Sequence, residues 1–158
     1  MSLKVGDIAP DFTLFNQDAQ QVSLNQFKGK KVVLSFFPFA NTSVCTKEMC
    51  TFRDDMKDYE SLDAQVLGIS VDSPFALKMF QEKNDYKFPL LSDVNRVVCN
   101  LYGTLGVFGP GKYDYQNVSK RSVFVLDRDG VIQYIEILDN PGNEPNYNAI
   151  KETLSKIK

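Results

Sequence analysis

Residues 32–54 read VVLSFFPFANTSVCTKEMCTFRD, which is an apolar run, a proline, a short polar loop and then a mixed pattern. The continuous apolar run, which ends at Pro38, is typical of a strand that is buried on both faces. From Ser43 to about Leu62 the apolar residues recur at roughly helical spacing. Cys45 therefore lies where a helix begins, and the free amides and dipole of a helix start stabilise a thiolate. The segment predicts a buried strand followed by a helix that carries a reactive thiol.

Strand-like and helix-like segments alternate along the rest of the chain. Further strands are predicted at residues 66–71, 122–126 and 131–138, and further helices from Pro74 onward, at 94–102 and at 144–158. Residues 103–117 contain four glycines and a proline and are predicted to form a long surface loop. A strand–helix–strand unit gives a right-handed crossover and a parallel pair, and a turn at residues 127–130 makes the last two strands a hairpin. The expected fold is therefore α/β and thioredoxin-like, with a mixed four-stranded central sheet and helices on both faces.

The composition argues against several classes of protein and partner. The 158 residues are expected to form one domain, residues 1–158, whose core needs no disulfide staples. The net charge is −2 and no basic patch is visible, which argues against a nucleic-acid partner. No apolar stretch approaches the roughly 20 residues of a membrane span, so no membrane partner is expected. The N-terminus lacks the apolar core of a signal peptide, and a cytoplasmic protein is expected, in a compartment where standing disulfides are rare.

The chain has three cysteines and no histidine, which limits the reactions that it can catalyse. A cysteine hydrolase usually needs a histidine base, and these cysteine spacings match no zinc site, so neither a metal nor another cofactor is expected. Cys45 has two interpretations, an activated nucleophile or a buried apolar cysteine, since free cysteine is among the most buried residue types. The polar, tightly turned approach through Pro38, Thr42 and Ser43 favours the nucleophile.

Cys50 follows Cys45 in a C-x4-C pattern, which is not the C-x-x-C of thioredoxin-type oxidoreductases. Five residues along an ideal helix separate two Cα atoms by roughly 8.5–9 Å, beyond the ~7 Å limit for a disulfide. A Cys45–Cys50 bond therefore requires the first helical turn to unwind. Otherwise Cys50 is a helix residue that packs on the core.

The third cysteine, Cys99, lies in the predicted helix 94–102. Val94, Val98 and Leu101 form the predicted stripe of that helix, and Cys99 falls about 140° from Val94 around the helix axis. Cys99 is therefore predicted to lie off the stripe, facing solvent or another element, as a partly buried structural thiol.

The residues Pro38-x-x-x-Thr42-x-x-Cys45 match the P-x-x-x-[TS]-x-x-C signature of the peroxiredoxins. The resemblance extends over nearly the whole chain. Residues 5–14 resemble the N-terminal segment of that family, and residues 120–127 resemble the strand that carries its active-site arginine. The chain is similar above all to the group that contains bacterioferritin comigratory protein, whose resolving cysteine can lie five residues after the reactive one.

The resemblance implies a peroxidase that reduces hydrogen peroxide and organic hydroperoxides. The Cys45 thiolate would attack one peroxide oxygen and become a sulfenic acid. Arg121 occupies the position of the family's arginine, and its guanidinium, the Thr42 hydroxyl and the amides of Val44 and Cys45 would stabilise the leaving oxygen. Pro38 would shield the thiolate.

The remaining steps and partners are also implied by the resemblance. Glu48 would orient Arg121, and Cys50 would condense with the sulfenic acid to a disulfide that a thioredoxin-like or other dithiol reductant reduces. Cys99 is a second candidate for the resolving thiol, because it lies in a helix where some related thiol peroxidases hold or approach a resolving cysteine. The chain stops soon after its last helix, without the extended C-terminal arm of larger members, and the group includes both monomers and homodimers.

Three other functions use the same residues. One is a thiol–disulfide oxidoreductase of the same fold, against which stand the missing C-x-x-C and the missing proline just before residues 121–127. Another is a one-cysteine peroxidase whose resolving thiol comes from outside the chain. The third is a structural or chaperone-like protein in which Cys45 is inert.

Overall fold

A seven-stranded mixed sheet forms the centre of the protein in the computed structural model, which describes residues 2–158. Met1, which the predicted domain includes, lies outside the described residues. The strands are β1 (Thr13–Asn16), β2 (Gln21–Ser23), β3 (Lys31–Phe36), β4 (Ala64–Ser70), β5 (Leu90–Ser92), β6 (Leu105–Phe108), β7 (Tyr115–Ser119), β8 (Arg121–Leu126) and β9 (Ile132–Leu138). The helices are α1 (Ser43–Asp54), α2 (Met56–Ser61), α3 (Pro74–Asn84), α4 (Val97–Leu101) and α5 (Tyr147–Lys156), and a 3-10 turn spans Leu24–Phe27.

The strand order in the central sheet is β2-β1-β5-β4-β3-β8-β9, and β6 pairs with β7 in a separate ribbon. Strands β3, β4 and β5 run parallel, whereas β8 runs antiparallel to β3 and to β9. The predicted α/β class with a mixed central sheet is confirmed. The predicted number of four strands is wrong, because β1, β2 and β5 add three strands of only three or four residues. A strand piece is predicted at residues 11–14 and overlaps β1, whereas β2 and β5 are too short for alternation to give a strand signal.

The two faces of the sheet bury separate halves of the core. Val33 of β3 and Phe37 just beyond it face one half, which we call the α1 side and which is covered by α1, α2, α3 and α5. Val32, Leu34 and Phe36 face the other half, the α4 side, which is covered by α4, the 3-10 turn and the N-terminal segment. Side chains at successive positions of a strand point to opposite faces, so one buried strand supplies both halves. Helices therefore lie on both faces, as predicted.

The helix predicted from residue 43 to about 62 is two helices. The backbone leaves the helical conformation at Asp55 (φ −96°, ψ 12°), where α1 ends and α2 begins. In α3 the sequence pattern predicts Phe75, Met79 and Phe80 as the apolar side, but Phe75 and Met79 are exposed and only Phe80 is buried. Among the described residues, no helix combines the length and the apolar composition needed to cross a membrane.

The helix predicted at 94–102 begins only at Val97 and turns a different face to the core. Val94 and Leu101 are exposed, whereas Cys99 is fully buried, so the predicted stripe is wrong. The physical reason is the carboxylate of Asp93, which accepts hydrogen bonds from the backbone amides of Val98 (3.1 Å) and Cys99 (2.7 Å). This carboxylate fixes where the helix starts and therefore which residues point inward.

The segment predicted as a long surface loop at 103–117 is mostly a β-hairpin. Leu105 of β6 lies opposite Ser119 of β7, and the register shifts once before Phe108. Phe108 packs edge-to-face on Phe39 with ring centroids 5.2 Å apart. The hairpin therefore packs against the loop that links β3 to α1.

Candidate active site

The loop after β3 carries Cys45 into the first turn of α1. Phe37 extends the sheet by donating its backbone N–H to Ile69, and the buried Pro38 then ends the strand. Thr42 is the residue that precedes α1, and its carbonyl accepts the N–H of Thr46. Cys45 is the third residue of the helix and is fully buried on the α1 side. The predicted place of the thiol, at the start of a helix after a buried strand, is confirmed.

Arg121 reaches Cys45 because β8 pairs with β3. Ser122 lies opposite Phe36, so Arg121 lies beside the end of β3, where the loop to Cys45 begins. Its Nη1 donates to Sγ of Cys45 at 3.3 Å, and its Nη2 donates to the carbonyl oxygen of Pro141 at 2.9 Å. The Arg121 side chain is 1% exposed. The guanidinium is therefore held at both ends, with one nitrogen directed at the thiol.

Glu48 lies one turn after Cys45, on the other side of Arg121. Its Oε1 is 3.6 Å from Nη1 of Arg121 and accepts the hydroxyl of Ser35 at 3.1 Å. Burial raises the pKa of Glu48 to about 7, and the Arg121 charge and the Ser35 hydrogen bond oppose this rise. Oε2 of Glu48 and Nε of Arg121 are buried without a hydrogen-bond partner among the described residues. Glu48 and Arg121 can therefore carry opposite charges side by side, but each keeps one buried polar atom without a hydrogen bond.

Burial raises the pKa of the Cys45 thiol, because the thiolate loses solvation in the core. The charge of Arg121 is the strongest influence that lowers this pKa, followed by hydrogen bonds to the sulfur from the Thr42 side chain and from the backbone at Phe39. The helix start and, by the family resemblance, the charge of Arg121 were both expected to favour the thiolate. In the fully buried site, Arg121 is the main group that stabilises the anion.

Thr42 and Asp72 hold the loop that shapes the site. The Thr42 hydroxyl donates to the Phe39 carbonyl at 2.9 Å. Oδ2 of Asp72, just beyond β4, accepts the amide of Ala40 at 2.8 Å and the hydroxyl of Ser70 at 2.6 Å. The sequence analysis predicted a helix from Pro74 onward and did not identify Asp72 as a residue of the site. The residue follows a buried strand directly, a position where polar side chains often serve a site, and that was the available signal.

Pro38 borders the site together with Pro141, since both line one narrow cleft beside Arg121. Ser35 is a further residue that the sequence analysis missed. It is the one hydroxyl in the apolar run of residues 32–37, and it is fully buried against Glu48. A lone polar residue in a strand buried on both faces needs a partner, and this requirement could have identified it.

The other two cysteines occupy different surroundings. All three cysteines are free thiols. Cys50 lies in the same intact helix as Cys45 and is half-buried, with its Sγ 3.5 Å from the hydroxyl of Tyr86. Cys99 is buried on the α4 side, so the sheet separates it from Cys45. The structure brings Cys45 together with Thr42, Arg121 and Glu48, but it does not bring Cys99 to the site.

Comparison with known proteins identifies the family of this chain. Residues 5–135 match the model of the AhpC/TSA family. The chain belongs to this family, the peroxiredoxins. Peroxiredoxin Bcp of Escherichia coli K12 is 41% identical to this peroxiredoxin over 133 residues, which cover 84% of this chain and 85% of that protein.

Solved structures agree with this peroxiredoxin over nearly its whole length. Peroxidoxin BcpB from Mycobacterium tuberculosis superposes with a TM-score of 0.86 at 30% identity and covers 99% of both chains. A peroxiredoxin-like protein from Aquifex aeolicus gives a TM-score of 0.87 at 28% identity and covers 99% of this chain and 88% of its own. The predicted family and thioredoxin-like fold are confirmed, and the protein is a thiol peroxidase. Peroxiredoxins act on hydroperoxides and use thioredoxin-like reductants.

Proposed function

We propose that Cys45 is the nucleophile of this peroxidase and that Arg121 activates it. Sγ of Cys45 attacks one oxygen of a hydroperoxide, the O–O bond breaks, and the cysteine becomes a sulfenic acid. The leaving oxygen takes a proton and departs as water or an alcohol. The observation that carries the proposal is the 3.3 Å contact between Nη1 of Arg121 and Sγ inside a fully buried site.

Fixed donors around Sγ stabilise the charge that moves to the leaving oxygen. The candidates are the guanidinium of Arg121, the hydroxyl of Thr42 and the free amides of Val44 and Cys45 in the first helical turn. Pro38 excludes water from the thiolate by closing the end of β3. The guanidinium of Arg121 is already fixed through its contact with Pro141. The Thr42 hydroxyl donates to the Phe39 carbonyl in this structure, so it must rotate to donate to the leaving oxygen.

Glu48 orients Arg121 rather than acting on the peroxide. Its Oε1 is 3.6 Å from Nη1 of Arg121, and Ser35 fixes the carboxyl group from the strand below. With a pKa of about 7, Glu48 is partly protonated near neutral pH, which leaves the Arg121 charge available to the thiolate. The protonation of Glu48 therefore makes the effect of the Arg121 charge on the Cys45 thiolate depend on pH.

Cys50 is the resolving thiol in this proposal. The first turns of α1 unwind, Cys50 attacks the sulfenic sulfur of Cys45, and a disulfide forms with loss of water. A thioredoxin-like dithiol then reduces the disulfide. Hydrogen peroxide and organic hydroperoxides are the substrates, and residues 1–158 work as a single domain in the cytoplasm, as a monomer or a homodimer.

Cysteine variants test the proposal. With peroxide and a thioredoxin system, Cys45→Ser should abolish peroxide consumption and Cys99→Ser, the matched control, should retain the wild-type rate. Cys50→Ser should still form the sulfenic acid but should turn over slowly. If Cys45→Ser consumed peroxide at the wild-type rate, the proposed nucleophile would be wrong. If Cys50→Ser turned over normally, an external thiol would resolve Cys45, and the protein would be a one-cysteine peroxidase.

A further inference from the structure

One face of α1 is attached to the last residue of α3 and to the start of the connection from α3 to β5. Thr46, Cys50 and Arg53 lie on this face, at the i, i+4 and i+7 spacing of one helical stripe. All three contact residues 84–86, which we call the 84–86 segment. The helix face that carries the proposed resolving thiol is therefore the face that this segment holds.

Four polar contacts make the attachment. The hydroxyl of Tyr86 lies 3.5 Å from Sγ of Cys50 and donates to the carbonyl oxygen of Thr46 at 3.4 Å. The Cys50 thiol donates to Oδ1 of Asn84 at 3.9 Å, and Nη1 of Arg53 donates to the carbonyl oxygen of Asn84 at 2.6 Å. The contacts at Cys50 are long and weak, whereas the Arg53 contact is short and charge-assisted.

The ring of Tyr86 cannot follow the helix if the helix moves. Tyr86 is 1% exposed, and its ring packs on Phe80 at 5.0 Å and on Phe88 at 5.5 Å between centroids. Phe80 belongs to α3 and Phe88 leads into β5, so the ring is anchored to both elements. Unwinding α1 must therefore break the contacts of the Tyr86 hydroxyl rather than carry them along.

We propose that Tyr86 and Asn84 are positioning residues that hold Cys50 away from Cys45 and set the rate at which α1 opens. This proposal rests on the proposed function, because it assumes that Cys50 resolves Cys45. Opening frees Cys50 from the 84–86 segment and lets the two sulfurs meet. The buried hydroxyl of Tyr86 thereby delays disulfide formation.

The delay decides between two fates of the sulfenic acid. In one, the Cys50 thiol displaces the hydroxyl of the sulfenic acid, giving the disulfide and one water. In the other, a second hydroperoxide transfers an oxygen to the sulfenic sulfur, giving a sulfinic acid and water or an alcohol. Slower opening of α1 favours the second fate, so the strength of the 84–86 contacts sets the sensitivity of the enzyme to excess peroxide.

Tyr86→Phe tests the proposal, because it removes the hydroxyl and keeps the packed ring. Rapid mixing with hydrogen peroxide, followed by acid quench, alkylation and mass analysis, gives separate rates for sulfenic acid and disulfide formation. Loss of one hydrogen-bonding hydroxyl should accelerate disulfide formation roughly threefold to tenfold. Sulfenic acid formation should be unchanged, and the sulfinic fraction in excess peroxide should fall.

Tyr59→Phe is the matched control. Tyr59 is also fully buried and packs on α1 through Phe52, at 5.6 Å between ring centroids. Its hydroxyl has no hydrogen-bond partner among the described residues. Its removal should leave both rates unchanged. Arg53→Gln, which removes the 2.6 Å contact to Asn84, should accelerate disulfide formation in the same way as Tyr86→Phe.

The outcomes separate this inference from the proposed function. Equal or slower disulfide formation in both Tyr86→Phe and Arg53→Gln, with a normal Cys45–Cys50 disulfide in the wild type, would overturn the positioning role alone. If the wild type formed the sulfenic acid but no Cys45–Cys50 disulfide, the proposed resolving role of Cys50 and this inference would both be wrong.

Discussion

Nη1 of Arg121 contacts two acidic groups at once, the thiol of Cys45 at 3.3 Å and the carboxyl group of Glu48 at 3.6 Å. All three side chains are essentially excluded from solvent. A single buried positive charge can fully compensate only one negative charge, so ionisation of Glu48 and ionisation of Cys45 oppose each other. The ionisation of Cys45 therefore depends on whether Glu48 is protonated.

Arg121→Gln tests the effect of the Arg121 charge on the ionisation of Cys45. The change removes the charge that most strongly lowers the pKa of Cys45, so the pH midpoint of alkylation by iodoacetamide should move to higher pH. Loss of a fixed donor at the leaving oxygen should lower the rate constant with peroxide by about 10²–10³-fold. Arg128→Gln, which removes an arginine in the β8–β9 turn, should change neither quantity. An unchanged midpoint and rate in Arg121→Gln would contradict the assigned role.

Glu48→Gln tests the ionisation of Glu48 through the pH dependence of the free energy of unfolding. The folded protein holds the Glu48 proton up to about pH 7, whereas the unfolded chain releases it near the ordinary pKa of 4.5. Between these values the folded state binds more protons, so this group makes the free energy of unfolding fall as pH rises. Glu48→Gln should flatten that fall between about pH 5 and 7 in urea titrations. Glu152→Gln, at an exposed site on α5, should leave the slope unchanged.

Sequence motifs identify the residues of this site only where they are close along the chain. Pro38, Thr42 and Cys45 form one short signature, so a single segment predicts them together. Arg121 lies 76 residues after Cys45 and reaches it through the pairing of β8 with β3. No periodicity predicts which strands become neighbours, so only the family resemblance pointed to Arg121. Ser35 contacts Glu48 through the same tertiary packing and was missed.

At the scale of elements, the loop from β3 to α1 depends on the end of β4. Asp72 accepts the Ala40 amide with the same oxygen that accepts the Ser70 hydroxyl, and its carbonyl accepts the hydroxyl of Ser92 on β5. These bonds link β4 and β5 to the backbone just before Thr42. The donors around Cys45 therefore keep their geometry because the loop is attached to the sheet.

Asp72→Ala should loosen this loop without disrupting the core. Loss of the charged acceptor for Ala40 should lower the free energy of unfolding by about 1–2 kcal/mol. The rate with hydrogen peroxide should fall by about tenfold, since misplaced donors stabilise the leaving oxygen less well. Asp72→Asn keeps one acceptor oxygen, so its free energy of unfolding and its rate should lie between those of the wild type and those of Asp72→Ala. Full activity in Asp72→Ala would show that the loop holds its geometry by other means.

The sequence predicted the long elements better than the short ones. The buried runs of β3, β4 and β8 have strong apolar patterns, and each is close to its predicted bounds. The β6–β7 ribbon was missed because its strands have four and five residues and a register shift. The glycines of this segment correctly predict a turn, but they also led to the two strands on either side of that turn being predicted as loop.

At the scale of the whole molecule, the sheet divides the cysteines. Cys45 belongs to the core on the α1 side and Cys99 to the core on the α4 side. Burial raises the pKa of Cys99 to about 12, and the nearby Asp93 adds to this rise. The spacing of residues along the chain carries no information about which side of a sheet a helix covers. The sequence therefore left Cys99 as a candidate for the resolving thiol, and the fold argues against it.

Cys99 should remain inert in the native protein. Before treatment with peroxide, iodoacetamide should label Cys45 in the folded protein. Both before and after treatment, it should label Cys99 only once the protein is denatured. Cys99→Ala should retain the wild-type peroxidase rate, because no group of the active site contacts Cys99. Mass analysis of the labelled peptides measures both points. Rapid labelling of Cys99 in the folded protein would contradict the separation of the two core halves.

In the proposed function, Sγ of Cys45 is the atom that accepts oxygen from the peroxide. Mass analysis of peptides after one equivalent of hydroperoxide tests this claim most directly, with dimedone added to trap sulfenic acid. We expect a Cys45–Cys50 disulfide in the wild type, a dimedone adduct on Cys45 in Cys50→Ser, and a free thiol at Cys99 in both. An unmodified Cys45 beside an oxidised Cys50 or Cys99 would contradict it.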